Sequence, residues 1–173
     1  QMCIRDRDAI NIDGLGKKVV EKFWNLNFIK LPQDIYNLDY EKISKLDGWG
    51  LQSVSNLKFS IDNSKKVKLD KFIYSLGIRH IGIENAKIIA DFTKTLKNFC
   101  SLSKSNKIKD LINIDGIGET QIKSLEKFFE NKINIKVLDK LSEILKIEYK
   151  QIEKKGKLKN KSFMFTGKLQ NIS

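Results

Sequence analysis

Ile12-Asp13-Gly14-Leu15-Gly16-Lys17-Lys18-Val19-Val20 sets the pattern that decides this fold. An apolar residue is followed two positions on by a glycine-apolar-glycine step, and an apolar helical stripe follows the step. The step returns at Gly48-Trp49-Gly50 and Gly116-Ile117-Gly118, and His80-Ile81-Gly82 differs only in its first residue. From one second glycine to the next the spacing is 34, 32 and 36 residues. Ile12, Leu46, Ile78 and Ile114 stand two positions before the four steps. Four and seven residues after the second glycine come Val20 and Phe23, Val54 and Leu57, Ala86 and Ile89, Ile122 and Leu125. A pattern held at so many offsets specifies a repeated structural unit.

Between the steps the apolar residues have helical period: Val19, Val20, Phe23 and Trp24; Phe72, Ile73 and Leu76; Ile88, Ile89 and Phe92; Leu125, Phe128 and Phe129. No long alternating run marks a strand before residue 160. Each unit reads as a short helix, a tight turn and a second helix starting at or just after the second glycine, which is a helix-hairpin-helix. The expected fold is all-α, a tandem of double helix-hairpin-helix units over residues 7–66 and 67–140. A further helix is expected from Ile135 to Leu145, and residues 141–160 read as a helix end running into a lysine-dense exposed linker. Ser162-Phe163-Met164-Phe165-Thr166 in segment 161–173 reads as one orphan β-strand whose partners are missing. Residues 1–6 have neither periodicity nor turn logic and read as a non-native scar.

The turn explains its own residue types. Glycine permits positive φ and, lacking a Cβ, lets another backbone approach closely, while the apolar residue between the glycines plugs the gap between helices. Amides at the start of each second helix have no intrahelical partner and lie at the positive end of the helix dipole, where an anion is favoured. Phosphate is the natural ligand, with Gly14, Gly16, Gly48, Gly50, Gly82, Gly116 and Gly118 as the turn positions and Lys17, Lys18 and Lys123 adding charge. The third unit departs from the rest as Gly77-Ile78-Arg79-His80-Ile81-Gly82. Arg79 is the one arginine between the first and last steps, and its planar fork suits phosphate or a minor-groove acceptor. His80, the only histidine, fits a backbone or phosphate contact.

The chain has 173 residues, 33 Lys and Arg against 21 Asp and Glu, and a net charge of +12. That balance attracts polyanions, of which nucleic acid is the commonest. Cys3 and Cys100 are too few for a disulfide framework and form no zinc-binding pair, which fits a reducing cytoplasm. No apolar run approaches the roughly 20 residues that cross a bilayer. Lys45-Leu46-Asp47-Gly48 matches the K-x-D-G signature of nucleotidyl transfer, but Asp47-Gly48 aligns with Asp13-Gly14 and Asp115-Gly116, and Lys45 with Asn11 and Asn113. The match follows from the repeat, so no catalytic residue is assigned. Gly14-Leu15-Gly16 lacks the third glycine and preceding strand of a dinucleotide loop. The aromatics Trp24, Trp49, Phe72 and Phe92 fall at helical spacing and are assigned to the core.

Taken together, the segments Arg7 to Gly16, Ser75 to Gly82 and Lys161 to Leu169 resemble the carboxyl-terminal part of bacterial NAD-dependent DNA ligases. The first is similar to the stretch after that family's zinc module, the second to its third hairpin, and the last to the first strand of its BRCT domain. The resemblance implies non-specific clamping of nicked double-stranded DNA by an enzyme that seals nicks in replication and repair. It adds Thr120 and supports Arg79 and His80 among the contact positions, with which Gly77 of the third unit is also counted. It also implies that NAD, magnesium and zinc serve the parent enzyme rather than this fragment. Adenylation, OB and zinc modules would precede residue 1, and the BRCT domain would be cut after one strand. The competing reading is a non-enzymatic DNA-junction or repair scaffold built from the same hairpins. A single-hairpin base-excision glycosylase fits four regular repeats poorly.

Overall fold

A computed structural model describes residues 10–102 and 107–149. The expected scar at 1–6, the linker beyond residue 149 and the strand of segment 161–173 lie outside the described residues. Helices dominate, in the order α1 (Lys17–Asn25), a 3-10 turn (Pro32–Asn37), α2 (Tyr40–Ser44) and α3 (Leu51–Ser64). A short strand β1 (Lys66–Lys68) leads into α4 (Leu69–Ser75), α5 (Ile83–Thr93), α6 (Leu96–Ser101) and α7 (Lys107–Asp110). A second 3-10 turn (Leu111–Asn113), α8 (Glu119–Glu130), α9 (Lys132–Ile144) and β2 (Lys146–Glu148) follow.

The repeat dictates where the long helices start. Gly16, Gly50, Gly82 and Gly118 are the N-caps of α1, α3, α5 and α8, each with extended backbone. Elsewhere side chains cap: Asp39 accepts from the Lys42 amide at 3.1 Å to start α2, and Thr95 from the Asn98 amide at 3.1 Å to start α6. These bonds satisfy donors that a helix end otherwise leaves open. The second and third hairpins show both helices, α2 and α3, then α4 and α5. The fourth enters through α7 and its 3-10 turn, whereas Ile10 to Ile12, before the first, are not helical.

The residues four and seven after each second glycine face inward. Phe23, Leu57, Ile89 and Leu125 are fully buried, as are Phe72 and Phe99. One contiguous cluster of buried residues runs from Ile10 to Leu145, so the two double-hairpin segments share a core. Two expectations need correction. Trp24, 57% exposed, and Phe92, 38% exposed, lie largely outside the core. Neighbouring residues on a helix point about 100° apart, and Phe23 and Ile89 take the inward positions of their stripes.

The second correction concerns strands. β1 and β2 pair in parallel, Lys66 with Lys146, Val67 with Ile147 and Lys68 with Glu148, both before residue 160, with β2 inside the expected linker. Three residues are too few to register as an alternating run, and the partners come from distant parts of the chain. Val67 is buried, Ile147 is half-buried, and the Lys146 amide donates to the Lys65 carbonyl at 2.7 Å. The segment after α9 is thereby stapled between α3 and α4. Tyr149 extends the staple, its hydroxyl donating to Asp91 Oδ1 on α5 at 2.9 Å.

Candidate nucleic-acid interface

All four turns close by the same hydrogen bond. The amides of Leu15, Trp49, Ile81 and Ile117 donate to the carbonyls of Ile12, Leu46, Ile78 and Ile114 at 3.0 to 3.1 Å. The third residue of each turn has positive φ: +85° at Gly14, +81° at Gly48, +61° at His80 and +92° at Gly116. This is the type II arrangement, which requires a left-handed residue at that position. His80 thus occupies the glycine's place with the glycine's conformation, and histidine is among the residues that tolerate it. The plug residues Leu15, Ile81 and Ile117 are buried. Trp49 is half-buried, its ring centroid 5.4 Å from that of Phe23.

The second glycines obey no such internal demand. Their φ values, −72° at Gly16, −87° at Gly50, −85° at Gly82 and −114° at Gly118, are open to any residue. A Cβ at Gly16 or Gly50 would meet nothing within 4 Å, at Gly82 only Asn85 Oδ1 at 3.8 Å, and at Gly118 the movable Gln121 Oε1 at 3.3 Å. All four are exposed. Serine, aspartate or asparagine would cap these helices better. Neither backbone conformation nor packing therefore demands glycine at these four exposed N-caps.

The hairpins differ in what holds the N-cap amide. The Gly82 amide donates to Asn85 Oδ1 at 3.2 Å and the Gly118 amide to Gln121 Oε1 at 3.1 Å. The Gly16 and Gly50 amides have no hydrogen-bond partner among the described residues. Asn85 and Gln121 were missed in the sequence, although both stand three residues after the N-cap, where a side chain reaches back to the cap amide. Lys22 was missed too; its Nζ donates to the Asp47 carbonyl at 3.1 Å and ties α1 to the second turn.

The charged candidates are exposed. Lys17 pairs with Glu21 at 3.9 Å and Lys123 with Glu119 at 3.6 Å, both on open helix faces where such pairs contribute little and leave the ammonium free to move. Lys18 and Arg79 have no ion-pair partner among the described residues, and Thr120 lies exposed in the first turn of α8. Charge also separates the turns: the second turn residue is Asp13, Asp47 and Asp115 in three of them and Arg79 in the third. The third hairpin thus places a cation where the other three place an anion. Gly77, with φ +62°, ends α4 by donating to the Tyr74 carbonyl at 3.1 Å. Lys45 is exposed at the end of α2, and Asp47 and Gly48 are the central residues of the second turn. The K-x-D-G match is therefore a hairpin turn in its ordinary register.

Among the described residues no three His, Cys, Asp or Glu side chains gather into a metal-binding group, and no helix is long and apolar enough to cross a membrane. The site is built from helix N-termini, lysines and one arginine, which suits an anionic backbone rather than a small substrate.

These turns define the class as helix-hairpin-helix, and a family model described as helix-hairpin-helix motif matches residues 71–138. The chain is 58% identical over 168 residues to a DNA ligase of Pelagibacter ubique (strain HTCC1062), covering 96% of this chain and 25% of that protein. It is 41% identical over 180 residues to a DNA ligase of Rickettsia canadensis (strain McKiel) and 39% over 171 residues to one of Sulfurihydrogenibium sp. (strain YO3AOP1). Those matches cover 96% of this chain and 26% and 23% of the relatives. The likeness to DNA ligases expected from the hairpins is borne out: along nearly its whole length the chain is homologous to one part of these proteins. It spans about a quarter of the length of the curated relatives it matches.

Proposed function

We propose that this chain is the duplex-gripping part of an NAD-dependent DNA ligase, an enzyme that seals nicks in cytoplasmic DNA during replication and repair. Its hairpins hold the phosphate backbone of nicked duplex DNA across the minor groove and read shape rather than base sequence. The observation that carries this reading is the set of exposed second glycines, Gly16, Gly50, Gly82 and Gly118, which neither backbone conformation nor packing requires. Each leaves room for a phosphate against amides at a helix N-terminus, the chemistry that anions find there. Homology to DNA ligases favours this reading over a stand-alone repair scaffold.

In this reading Gly14, Gly48, His80 and Gly116 shape the turns, and the amides after the second glycines receive phosphate oxygens. Arg79, Lys17, Lys18 and Lys123 add charge, with Thr120 as a further donor. NAD, magnesium and zinc belong to other parts of the enzyme, and no step is assigned to them here. Because the grip is electrostatic, affinity for a random-sequence duplex falls as salt rises, with a log-log slope of about −0.9 per phosphate neutralised. Fluorescence anisotropy across a salt series measures it, and a flat dependence would contradict the proposal. Incubation with NAD leaves Lys45 unmodified by mass spectrometry; an adenylated Lys45 would overturn its reading as a turn residue.

A further inference from the structure

We propose that Asn85 is a positioning residue that locks the third and fourth hairpins into one unit. Its role in DNA binding rests on the proposed function, whereas the lock itself is a property of the protein alone. Asn85 stands in the first turn of α5 and uses both ends of its amide. Its Oδ1 accepts from the Gly82 amide at 3.2 Å, within its own hairpin, and its Nδ2 donates to the Gly116 carbonyl at 2.8 Å, in the turn of the next. Gln121 holds the equivalent place in the fourth hairpin and accepts from Gly118, yet it makes no bond to another turn among the described residues. The cross-link is therefore particular to Asn85.

Packing reinforces it. A Cβ at Gly116 would come 2.7 Å from Ile88 Cδ1, so the fourth turn sits directly against α5 on the same side as Asn85. The first two hairpins are joined differently: a Cβ at Gly14 would lie 3.7 Å from Leu57 Cδ1, the Trp49 ring packs on Phe23, and the polar cross-tie is the long, exposed Lys22 side chain on the Asp47 carbonyl. A planar, half-buried amide with both ends engaged fixes an angle between turns; a flexible lysine does not. Two hairpins held in register lose less conformational freedom when they engage one backbone, and preorganisation of this kind raises affinity without adding a contact.

Asn85→Ala removes both bonds but no charge. In the free protein, amide hydrogen exchange at Ile117 and Gly118 should quicken by about two- to tenfold, the scale of one lost hydrogen bond, while circular dichroism shows a folded chain. Duplex affinity should fall by a similar factor with the salt slope unchanged, since no phosphate contact is lost. Unchanged exchange at Ile117 and Gly118 overturns the lock, whatever DNA does. Faster exchange with unaltered affinity overturns its part in binding, and a shallower salt slope makes Asn85 a direct contact instead. If the unmodified chain fails to bind duplex DNA, the proposed function fails, and the exchange data alone decide the lock. Should Asn85→Ala fail to fold, Asn85→Ser, judged by the same exchange at Ile117 and Gly118, takes its place.

Discussion

Gly116 and Gly50 are both glycines of hairpin turns, yet they answer to different constraints. At Gly116 φ is +92° and a Cβ would collide with Ile88, so Gly116→Ala should cost about 1–3 kcal/mol of stability, read as a lower denaturation midpoint. At Gly50 the backbone is ordinary and the space is open, so alanine there should cost only the poorer N-cap it makes, about 0.5–1 kcal/mol. Equal costs at the two sites would refute this division between turn-forming and approach-permitting glycines. Arg79 supplies the other residue-scale test. It is exposed, free of ion pairs among the described residues, and replaces the aspartate of the other three turns. Arg79→Ala should make the salt slope of duplex binding shallower by about one unit and weaken all sequences alike; an unchanged slope would remove Arg79 from the phosphate contacts.

At the scale of the element, the capping devices set the helix ends and their pH response. Asp39 lies in water, and its carboxyl is held below the usual carboxylate range chiefly by the Lys42 amide, with the Lys42 ammonium assisting. A depressed folded pKa gives stability that is present above the unfolded value and lost as pH falls through the folded one. Between about pH 4 and pH 2 the parent chain should therefore lose more stability than Asp39→Asn, in which the cap cannot titrate. Parallel pH profiles would show that the cap contributes nothing. Thr95→Ala should cost about 1 kcal/mol by removing the cap of α6. The starts of α1, α3, α5 and α8 were legible because each follows a glycine at a fixed offset from a buried stripe. Which of two adjacent apolar residues turned inward was not, as Trp24 beside Phe23 shows, because helical period alone leaves both near the core face. The Asn85 cross-link was out of reach for another reason: its partner, the Gly116 carbonyl, is supplied by a different hairpin, and no local pattern marks it.

Across the whole molecule, the shared core and the parallel pairing of β1 with β2 hold both pairs of hairpins together. Strand pairing between distant segments leaves almost no trace in a three-residue sequence, which is why residues 146–148 read as linker in the sequence. Calorimetry should show one cooperative thermal transition, and Ile147→Asp, which puts a charge in the staple, should lower it as a single step; two separated transitions would mean that the pairs of hairpins fold independently. In the proposed function the second glycines are kept open for a duplex backbone. The most direct measurement compares duplex affinity of the parent chain with that of the Gly16→Ala/Gly50→Ala double variant at fixed salt, alongside their thermal midpoints. Expected are a midpoint lowered only by the two poorer N-caps and an affinity loss of about tenfold or more, the scale of charge-assisted bonds displaced by two methyl groups. Equal affinities in two folded proteins would contradict the reading.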